Sequence, residues 1–451
     1  MKIHLIAIGG SAMHNLALAL HEKGYQVTGS DDEIFEPSRS RLEKKGLLPQ
    51  TLGWDANRIT PDLDAIILGM HAREDNPELI KARQLGLKIF SYPEYLYEQT
   101  KNKKRVVIAG SHGKTSITSM IMHVLKHTGR DFDYMVGALV EGFDTMVRLS
   151  ESAPVAIFEG DEYLSSPIDL RPKFHLYKPH IALISGIAWD HINVFPTFEI
   201  YKQQFSTFIS LIEPNGTLYY YEGDSELRDV VLHSGTHIDK EPYKEHESII
   251  RDNETYLTAR SGVFKLTVFG KHNLQNINGA KLICNQLGVS DIEFYNAICT
   301  FKGAAKRLQV LHSAPGAIAY LDFAHAPSKV KATISALKEQ FPTRKLIACL
   351  ELHTFSSLNA EFLDQYRDSM QVADEAIVYF NPETLRHKRL PEISEEQVKK
   401  AFGKENLKVF IDTDSLVNSL KSISYKETNL LLMSSGNFAG IDLKGLSLEL
   451  F

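Results

Sequence analysis

Short apolar runs alternate with stretches of helical periodicity along almost the whole chain. The first run, residues 3–8, passes through Gly9-Gly10 into a helical pattern that ends at Gly24. Comparable apolar runs recur at residues 65–68, 106–109, 155–158, 181–187, 318–322, 345–350 and 429–433. Strands that alternate with helices are typical of α/β domains with largely parallel sheets, so the pattern predicts this fold class throughout.

The helical pattern after residues 106–109 shows one apolar stripe. Its apolar residues follow the i, i+3, i+4, i+7, i+8 spacing of a core-facing helix surface, at Ile117, Met120, Ile121, Val124 and Leu125. The sequence therefore predicts an amphipathic helix that directly follows a buried strand.

The pattern divides into three α/β units, and 451 residues are enough for roughly three domains. We expect a Rossmann-like N-terminal domain over residues 1–100, a central domain over 101–312 and a Rossmann-like C-terminal domain over 313–451. Residues 216–269 are rich in Tyr, Thr and Val, which predicts an inserted β region in the central domain. The basic, polar residues 101–105 predict a solvated linker.

Composition narrows the function classes. Asp and Glu number 56 against 50 Lys and Arg, and the net charge of −6 argues against nucleic-acid binding as the main activity. Three scattered cysteines, Cys284, Cys299 and Cys349, predict a reducing compartment without a disulfide framework. No apolar run approaches the roughly 20 residues that cross a membrane. We therefore expect a cytoplasmic protein with no membrane insertion.

One glycine-rich turn carries the strongest chemical signal. Residues 109–116, A-G-S-H-G-K-T-S, lie directly after an apolar strand and directly before a helix. Backbone N–H groups in such a turn bind anions, the lysine adds charge for terminal phosphates, and the threonine hydroxyl binds Mg²⁺. Ile108 occupies the first glycine position of the common P-loop, so this is the shorter G-x-x-G-K-T form. The central domain is thus predicted to be a P-loop ATPase, with ATP-binding residues Gly110, Ser111, His112, Gly113, Lys114, Thr115 and Ser116.

Acidic residues and a histidine follow two of the other apolar strands. Residues 155–158 end in Glu159-Gly160-Asp161-Glu162, and a parallel strand delivers its carboxyl end to the ligand crevice. Glu159 is the first carboxylate past the strand, so we expect it to hold Mg²⁺ together with Thr115. Residues 181–187 lead to Asp190-His191, a pair that can bind a second metal or orient a base.

The N-terminal turn is a degenerate dinucleotide fingerprint. Gly9-Gly10-Ser11-Ala12-Met13 lacks the full G-x-G-x-x-G, but it predicts a phosphate-bearing ligand at the first helix N-terminus. Asp31, at the end of the second strand, lies where such folds contact a sugar or a base. A plain tight turn is the alternative interpretation.

Taken together, these motifs resemble those of the Mur ligase family, which builds and recycles the peptide of bacterial cell-wall precursors. The resemblance covers essentially the whole chain. It includes E-G-D-E at 159–162 (family E-A-D-E), D-H at 190–191, G-K-H-N with Asn276 at 270–276, K-R-L-Q at 306–309 and D-F-A-H-A-P at 322–327. The chain departs from the family pattern at Ala12, Gly186 and Ala326.

The resemblance implies an ATP-dependent ligase that forms an amide bond through an acyl phosphate, with ATP and Mg²⁺ as cofactors. It implies catalytic roles for Lys114, Glu159, His191 and Arg307, with His191 at a second magnesium ion. Further ATP contacts are expected from His272, Asn273, Asn276, Arg307 and Asp322. The expected UDP-N-acetylmuramate contacts are Gly9, Gly10, Ser11, Ala12, Met13 and Asp31, then His71, Arg73 and Asn76, whereas His353 opens a loop for the amine substrate. A monomer or weak homodimer is expected.

Two branches of the family act on UDP-N-acetylmuramate, adding either L-alanine or the preformed tripeptide L-alanyl-γ-D-glutamyl-meso-diaminopimelate. Residues 161–163, 173–179 and 435–441 are more similar to the tripeptide-adding branch, which serves peptidoglycan recycling. Residues 351–357 are at least as similar to the alanine-adding branch. We expect the tripeptide, with L-alanine as the alternative amine.

Other classes predict different behaviour. A non-ligating nucleotide-binding regulator would bind ATP without substrate-dependent phosphate release. A nicotinamide-dependent dehydrogenase would leave Lys114-Thr115 and Glu159 unexplained. A folylpolyglutamate ligase shares the last two domains but normally lacks the N-terminal one.

Overall fold

The computed structural model describes residues 1–189, 192, 194–303 and 307–451. Its contacts separate into two compact units. The first unit comprises Met1–Ile187, Lys202–Tyr243 and Gly279–Val289. The second unit comprises Ala188–Tyr201, Lys244–Asn278 and Ser290–Phe451.

The first unit begins with a parallel four-stranded sheet in the order β2-β1-β3-β4. Its elements are β1 (Lys2–Ile6), α1 (Ser11–Glu22), β2 (Gln26–Ser30), α2 (Ser38–Lys44), β3 (Ala65–Leu68), α3 (Pro77–Gln84), β4 (Ile89–Ser91) and α4 (Tyr92–Thr100). A capping box between Ser91 and Glu94 satisfies the first turn of α4.

A second sheet of seven strands forms the rest of this unit, in the order β13-β12-β11-β5-β8-β6-β7. All its strands are parallel except β7, which runs antiparallel to β6. The elements are β5 (Lys104–Ala109), α5 (Lys114–His127), β6 (Asp133–Met135), β7 (Val147–Arg148), β8 (Val155–Glu159), the pair β9 (Leu164–Ser166) and β10 (Asp169–Pro172), β11 (Ile181–Ile184), α6 (Phe198–Ser210), β12 (Thr217–Tyr221), α7 (Ser225–His233) and β13 (Asp239–Tyr243).

The second unit holds a small antiparallel sheet, β14-β15-β16, and a six-stranded sheet in the order β17-β18-β22-β19-β20-β21. The larger sheet is parallel except for β17, its edge strand. The elements are β14 (Ser248–Arg251), β15 (Glu254–Ala259), β16 (Gly262–Lys265), α8 (Lys271–Gln286), α9 (Asp291–Ile298), β17 (Gln309–Ala314), β18 (Ala317–Asp322), α10 (Pro327–Gln340), β19 (Lys345–Glu351), β20 (Glu375–Tyr379), α11 (Pro382–Lys388), α12 (Glu395–Phe402), β21 (Lys408–Phe410), α13 (Thr413–Lys421), β22 (Thr428–Met433) and α14 (Leu443–Leu450). Residues 279–286 of α8 belong to the first unit, and residues 198–201 of α6 belong to the second.

These three main α/β sheets confirm the predicted fold class. Helix α5 begins at Lys114, and all five positions of its predicted apolar stripe are at most 2% exposed. The helix therefore packs with the stripe inward, as its periodicity requires.

The predicted inserted β region at 216–269 is only partly separate. Strands β12 and β13, with helix α7 between them, extend the central parallel sheet. Only β14, β15 and β16 form a sheet of their own, and they belong to the second unit. Tyr, Thr and Val favour strands of either kind, so composition could not separate the two cases.

The prediction of a solvated linker at 101–105 is wrong for Arg105, which is only 1% exposed. Its guanidinium donates to the carbonyl oxygens of Lys101 at 2.8 Å and Tyr177 at 2.8 Å. It also forms an ion pair with Glu213, with Nη2 at 2.9 Å from Oε1. The charge is buried because these acceptors replace water, which a charge count along the sequence cannot reveal.

Replacing Arg105 should destabilise the first unit strongly. We expect Arg105→Leu to lower its free energy of unfolding by roughly 3–5 kcal/mol, since several buried acceptors lose their donor. Urea unfolding followed by circular dichroism measures this loss. The control is Lys104→Leu at the exposed neighbouring position, which should change stability by no more than about 0.5 kcal/mol. Equal losses in the two variants would contradict this role for Arg105.

Candidate active site

The glycine-rich turn after β5 has the conformation of an anion-binding loop. Gly110 and Gly113 have φ values of 121° and 77°, in the region that favours glycine. A Cβ atom on Gly110 would lie 2.9 Å from the backbone nitrogen of Ser185, so the position has no space for a side chain. The Ser111 N–H donates to the Gly186 carbonyl oxygen at 3.0 Å. The turn is thus held against the chain that leaves β11.

Lys114, the first residue of α5, is held by two oxygen atoms. Its Nζ donates to the Gly110 carbonyl oxygen at 2.7 Å and to Oε2 of Glu162 at 2.6 Å. Burial lowers the pKa of Lys114, but the negative charges of Glu162 and Asp161 outweigh it, and the net shift is upward. The lysine therefore stays charged, and its ammonium group lies between the Gly110 carbonyl oxygen and Glu162. The sequence analysis did not predict a role for Glu162. Its position three residues after Glu159, at the same strand end, could have indicated that it lies near Lys114.

Thr115 and Glu159 form the predicted oxygen pair. The Thr115 hydroxyl donates to Oε1 of Glu159 at 2.9 Å, and the Gly137 N–H donates to Oε2 at 2.7 Å. Both side chains are buried, and burial raises the pKa of Glu159 against the lowering effect of the Gly137 N–H and Lys114. A hydroxyl and a carboxylate at this separation suit Mg²⁺, which prefers oxygen ligands and keeps several waters.

The other predicted metal ligand, His191, lies outside the described residues, as do Asp190 and Lys306. Among the residues that the structure does describe, no group of three His, Cys, Asp or Glu side chains forms a metal cluster. Gly186, a departure from the family pattern, has a φ of 142°. Glycine there allows a backbone turn in which the Ile187 N–H donates to Asp224 at 2.6 Å.

The N-terminal turn is closed by Asp31. The Gly9 N–H donates to Oδ2 of Asp31 at 2.7 Å, and a Cβ atom on Gly9 would lie 2.8 Å from the same oxygen. Burial raises the pKa of Asp31 to about 6. Helix α1 starts at Ser11, which is exposed together with Ala12, whereas Met13 is buried.

The three further substrate candidates on the N-terminal domain differ in exposure. His71 and Arg73 are exposed. Asn76 is buried, and its side-chain oxygen caps α3 by accepting from the N–H groups of Glu78 at 2.9 Å and Leu79 at 3.2 Å. The Asn76 side chain therefore already has a structural role as a helix cap.

The remaining ATP candidates belong to the second unit. Asp322, at the end of β18, accepts from the N–H groups of Leu308 and Ala324, both at 2.7 Å. The Arg307 guanidinium lies 4.7 Å from the centroid of the Phe323 ring. On α8, burial lowers the pKa of His272 while the charge of Asp322 opposes this. The two asparagines of this helix that are ATP candidates differ in surroundings: Asn273 donates to the Phe269 carbonyl oxygen at 2.8 Å, and Asn276 is 5% exposed.

Glu351, at the end of β19, organises the loops near His353. Its Oε2 accepts from the Phe438 N–H at 2.9 Å and from the Ser434 hydroxyl, and its Oε1 lies 3.9 Å from Nδ1 of His353. Phe355, two residues further, is 48% exposed. The sequence did not single out Glu351, because nothing in a lone acidic strand end indicates which loop it will hold.

Three family models match consecutive parts of the chain. They are described as Mur ligase family catalytic domain, Mur ligase middle domain, and Mur ligase glutamate ligase domain, at residues 2–104, 108–284 and 306–436. The chain belongs to the Mur ligase family. Members of this family are ligases that form amide bonds with ATP, so the predicted ATP-dependent carbon–nitrogen ligase of peptidoglycan metabolism is confirmed.

The similar proteins include ligases named for L-alanine and ligases named for the tripeptide. The UDP-N-acetylmuramate–L-alanine ligase of Caldicellulosiruptor bescii is 31% identical over 84% of this chain and 83% of its own length. The UDP-N-acetylmuramate–L-alanyl-γ-D-glutamyl-meso-2,6-diaminoheptandioate ligase of Escherichia coli is 27% identical over 98% of this chain and 97% of its own. The crystal structure of the alanine ligase from Thermotoga maritima shares the Mur ligase fold, with a TM-score of 0.71 at 22% identity over 100% of this chain and 98% of that one.

Within the described parts of the chain, no helix combines the length and the apolar character that crossing a bilayer requires.

Lys114 is the residue whose loss should affect turnover most. We expect Lys114→Ala to lower ADP release roughly 100- to 1000-fold, as for removal of one charged donor from a reacting oxygen. A coupled ADP assay measures this, and circular dichroism checks the fold. Lys338→Ala removes another ion-paired helix lysine, which contacts Asp374 at 2.8 Å, and should leave turnover within threefold. Near-normal turnover of Lys114→Ala would remove the turn from the mechanism.

The raised pKa of Asp31 predicts a pH dependence of stability. The native carboxyl has a pKa of about 6 against 3.8 for the ordinary group, so the folded protein binds its proton more tightly. The stabilisation from this protonation is present below pH 4 and is lost as the pH rises through 6. Wild type should therefore lose thermal stability relative to Asp31→Asn over this window. The exposed control Asp144→Asn should run parallel to wild type, and parallel curves for Asp31→Asn would contradict the shift.

Proposed function

We propose that this ligase joins the lactyl carboxylate of UDP-N-acetylmuramate to the amino group of L-alanyl-γ-D-glutamyl-meso-diaminopimelate. Ligases named for this tripeptide in Escherichia coli and Haemophilus influenzae each align with 98% of the chain. Alanine ligases align over similar lengths, so coverage alone does not choose between the two amines.

The surface around the His353 loop is the observation that favours the tripeptide over L-alanine. Lys388 Nζ lies 4.4 Å from the centroid of the exposed Phe355 ring, and Arg386 and Arg389 beside it are also exposed. This aromatic and cationic surface follows β19 and β20, at the carboxyl edge where ligands of parallel sheets bind. It suits a peptide with several carboxylates better than L-alanine, which offers one carboxylate and one methyl group.

In the proposed reaction, ATP activates the acid. A carboxylate oxygen attacks the γ-phosphorus, the bond to the β-phosphate oxygen breaks, and ADP leaves. The amine then attacks the acyl carbon, loses a proton, and expels phosphate. Lys114 and backbone N–H groups of the turn other than that of Ser111 would bind the phosphates, with Lys114 exchanging Glu162 for phosphate oxygens.

Thr115 and Glu159 are the residues that would hold Mg²⁺. When bound, the ion neutralises charge on the phosphate oxygens. The Gly137 N–H keeps the Glu159 carboxylate oriented toward Thr115. Asp322 and Arg307 are proposed to contact the ribose and a phosphate, as the family resemblance implies.

The L-alanine ligase is the second candidate, favoured by one sequence observation. The Caldicellulosiruptor bescii alanine ligase has the higher identity, 31% against 27% for the Escherichia coli tripeptide ligase. The proposed residues for ATP and UDP-N-acetylmuramate are the same in both candidates, so only the amine distinguishes them.

The amine profile tests the proposal. With UDP-N-acetylmuramate and Mg-ATP saturating, we expect phosphate release to be at least tenfold faster in kcat/KM with the tripeptide than with L-alanine. The dipeptide L-alanyl-γ-D-glutamate is the control for the contribution of the third residue. Faster release with L-alanine would replace the proposal with the alanine ligase. ATP binding without release for any amine would favour the non-ligating regulator.

A further inference from the structure

A buried asparagine connects the N-terminal turn to the central domain. Asn15 lies in the second turn of α1 and is 0% exposed. Asparagine is a poor residue for a helix interior, because its amide competes with the backbone for hydrogen bonds. Its burial here therefore requires hydrogen-bond partners for both the oxygen and the nitrogen of its amide.

Every hydrogen-bonding position of the Asn15 amide is occupied. Its Oδ1 accepts from the Met146 N–H and from Nη1 of Arg41, both at 3.0 Å. Its Nδ2 donates to the Ser11 carbonyl oxygen at 2.8 Å and contacts Nε2 of His14 at 3.0 Å. One amide thus touches both the first turn of α1 and the central domain.

The partner on the central side belongs to the β6–β7 hairpin, residues 133–148. Met146 precedes β7, and its carbonyl oxygen accepts from the Val136 N–H at 3.0 Å where the two strands meet their connecting loop. The next residue, Gly137, donates its N–H to Glu159 at 2.7 Å. Arg41 makes a second tie, from Nη2 to the Asp144 carbonyl oxygen at 2.7 Å. The hairpin therefore contacts Asn15 at one point and the proposed metal ligand at another.

The partner on the N-terminal side reaches the glycine turn. Nδ1 of His14 lies 3.0 Å from the Gly10 carbonyl oxygen, and its Nε2 faces Asn15 and Arg41. Burial lowers the pKa of His14, which favours the neutral ring that donates through Nδ1 and accepts through Nε2. Hydrogen bonds thus run without a break from the Gly9-Gly10 turn through Asn15 to the hairpin that orients Glu159.

We propose that Asn15 is a positioning residue that fixes the UDP-sugar turn relative to Glu159 through the β6–β7 hairpin. The inference rests on the proposed function, in which this turn holds the UDP-sugar and Glu159 belongs to the ATP site. Attack of the lactyl carboxylate on the γ-phosphate needs reacting atoms about 3–3.5 Å apart, and a displacement of about 1 Å can cost about 100-fold in rate. Asn15 is fully buried, so in this proposal it acts on this distance and not through contact with either substrate.

The test compares Asn15→Ala with a matched buried asparagine. Asn429, 1% exposed in β22, also accepts from a backbone N–H and from an arginine, at 3.2 Å from Ile318 N and 3.2 Å from Arg344 Nη1. Both alanine variants should lose thermal stability, because both leave buried donors without an acceptor. Only Asn15→Ala should lose kcat, by about tenfold or more, with the KM for ATP unchanged within threefold.

Two more variants keep the inference falsifiable. Asn15→Asp retains an oxygen for Met146 and Arg41 but loses the Nδ2 donor to the Ser11 carbonyl oxygen, so its kcat should lie between those of wild type and Asn15→Ala. If Asn15→Ala does not fold, Arg41→Ala, which removes the tie to Asp144, should lower kcat several-fold. An unchanged kcat in Asn15→Ala or Arg41→Ala, or an equal loss in Asn15→Asp and Asn15→Ala, would overturn the role of Asn15.

Wild type separates this outcome from failure of the proposed function. Calorimetric titration with UDP-N-acetylmuramate alone should give binding heat, and adding ATP and the tripeptide should release phosphate. Absence of both in wild type would overturn the proposed function, and the inference with it. Binding and turnover in wild type with an unaffected Asn15→Ala would overturn the inference only.

Discussion

A lysine that has left bulk water needs a negative partner, and this requirement organises the central domain. Glu162 supplies that partner to Lys114 at 2.6 Å, and the Gly110 carbonyl oxygen holds the ammonium group from the other side. The arrangement is strong because removing one member of a buried pair leaves an uncompensated charge. In the proposed function, the phosphates of ATP replace Glu162 as the anionic partner of Lys114.

The positions of these side chains depend on where the strands end. In the first unit, the carboxyl ends of β5 and β8 bring Lys114, Thr115 and Glu159 to one edge of the sheet. In the second unit, β18 and β19 deliver Asp322 and Glu351 in the same way. Each carboxylate is held by backbone N–H groups, which fixes its direction before any ligand arrives.

The sequence predicted the parallel sheets, an amphipathic helix after the glycine-rich turn and the residue types around that turn, because periodicity and strand-loop-helix order are local properties. The helix begins earlier than predicted, at Lys114 inside the motif 109–116. It did not predict that Glu162 pairs with Lys114, that Asn15 reaches Met146, or that Arg105 is buried. Each of these depends on a partner tens of residues away in the chain. The strands β12 and β13 were grouped with the inserted region because composition does not encode which sheet a strand joins.

The side chain of Arg105 constrains the connection between α4 and β5. It gathers the carbonyl oxygens of Thr100 and Lys101 at the end of α4 while its own backbone opens the central sheet. Hydrogen bonds from one buried side chain therefore hold the backbone of this connection in place. An insertion or deletion between residues 101 and 105 would separate the guanidinium from these carbonyl oxygens, so we expect the length of this connection to be constrained.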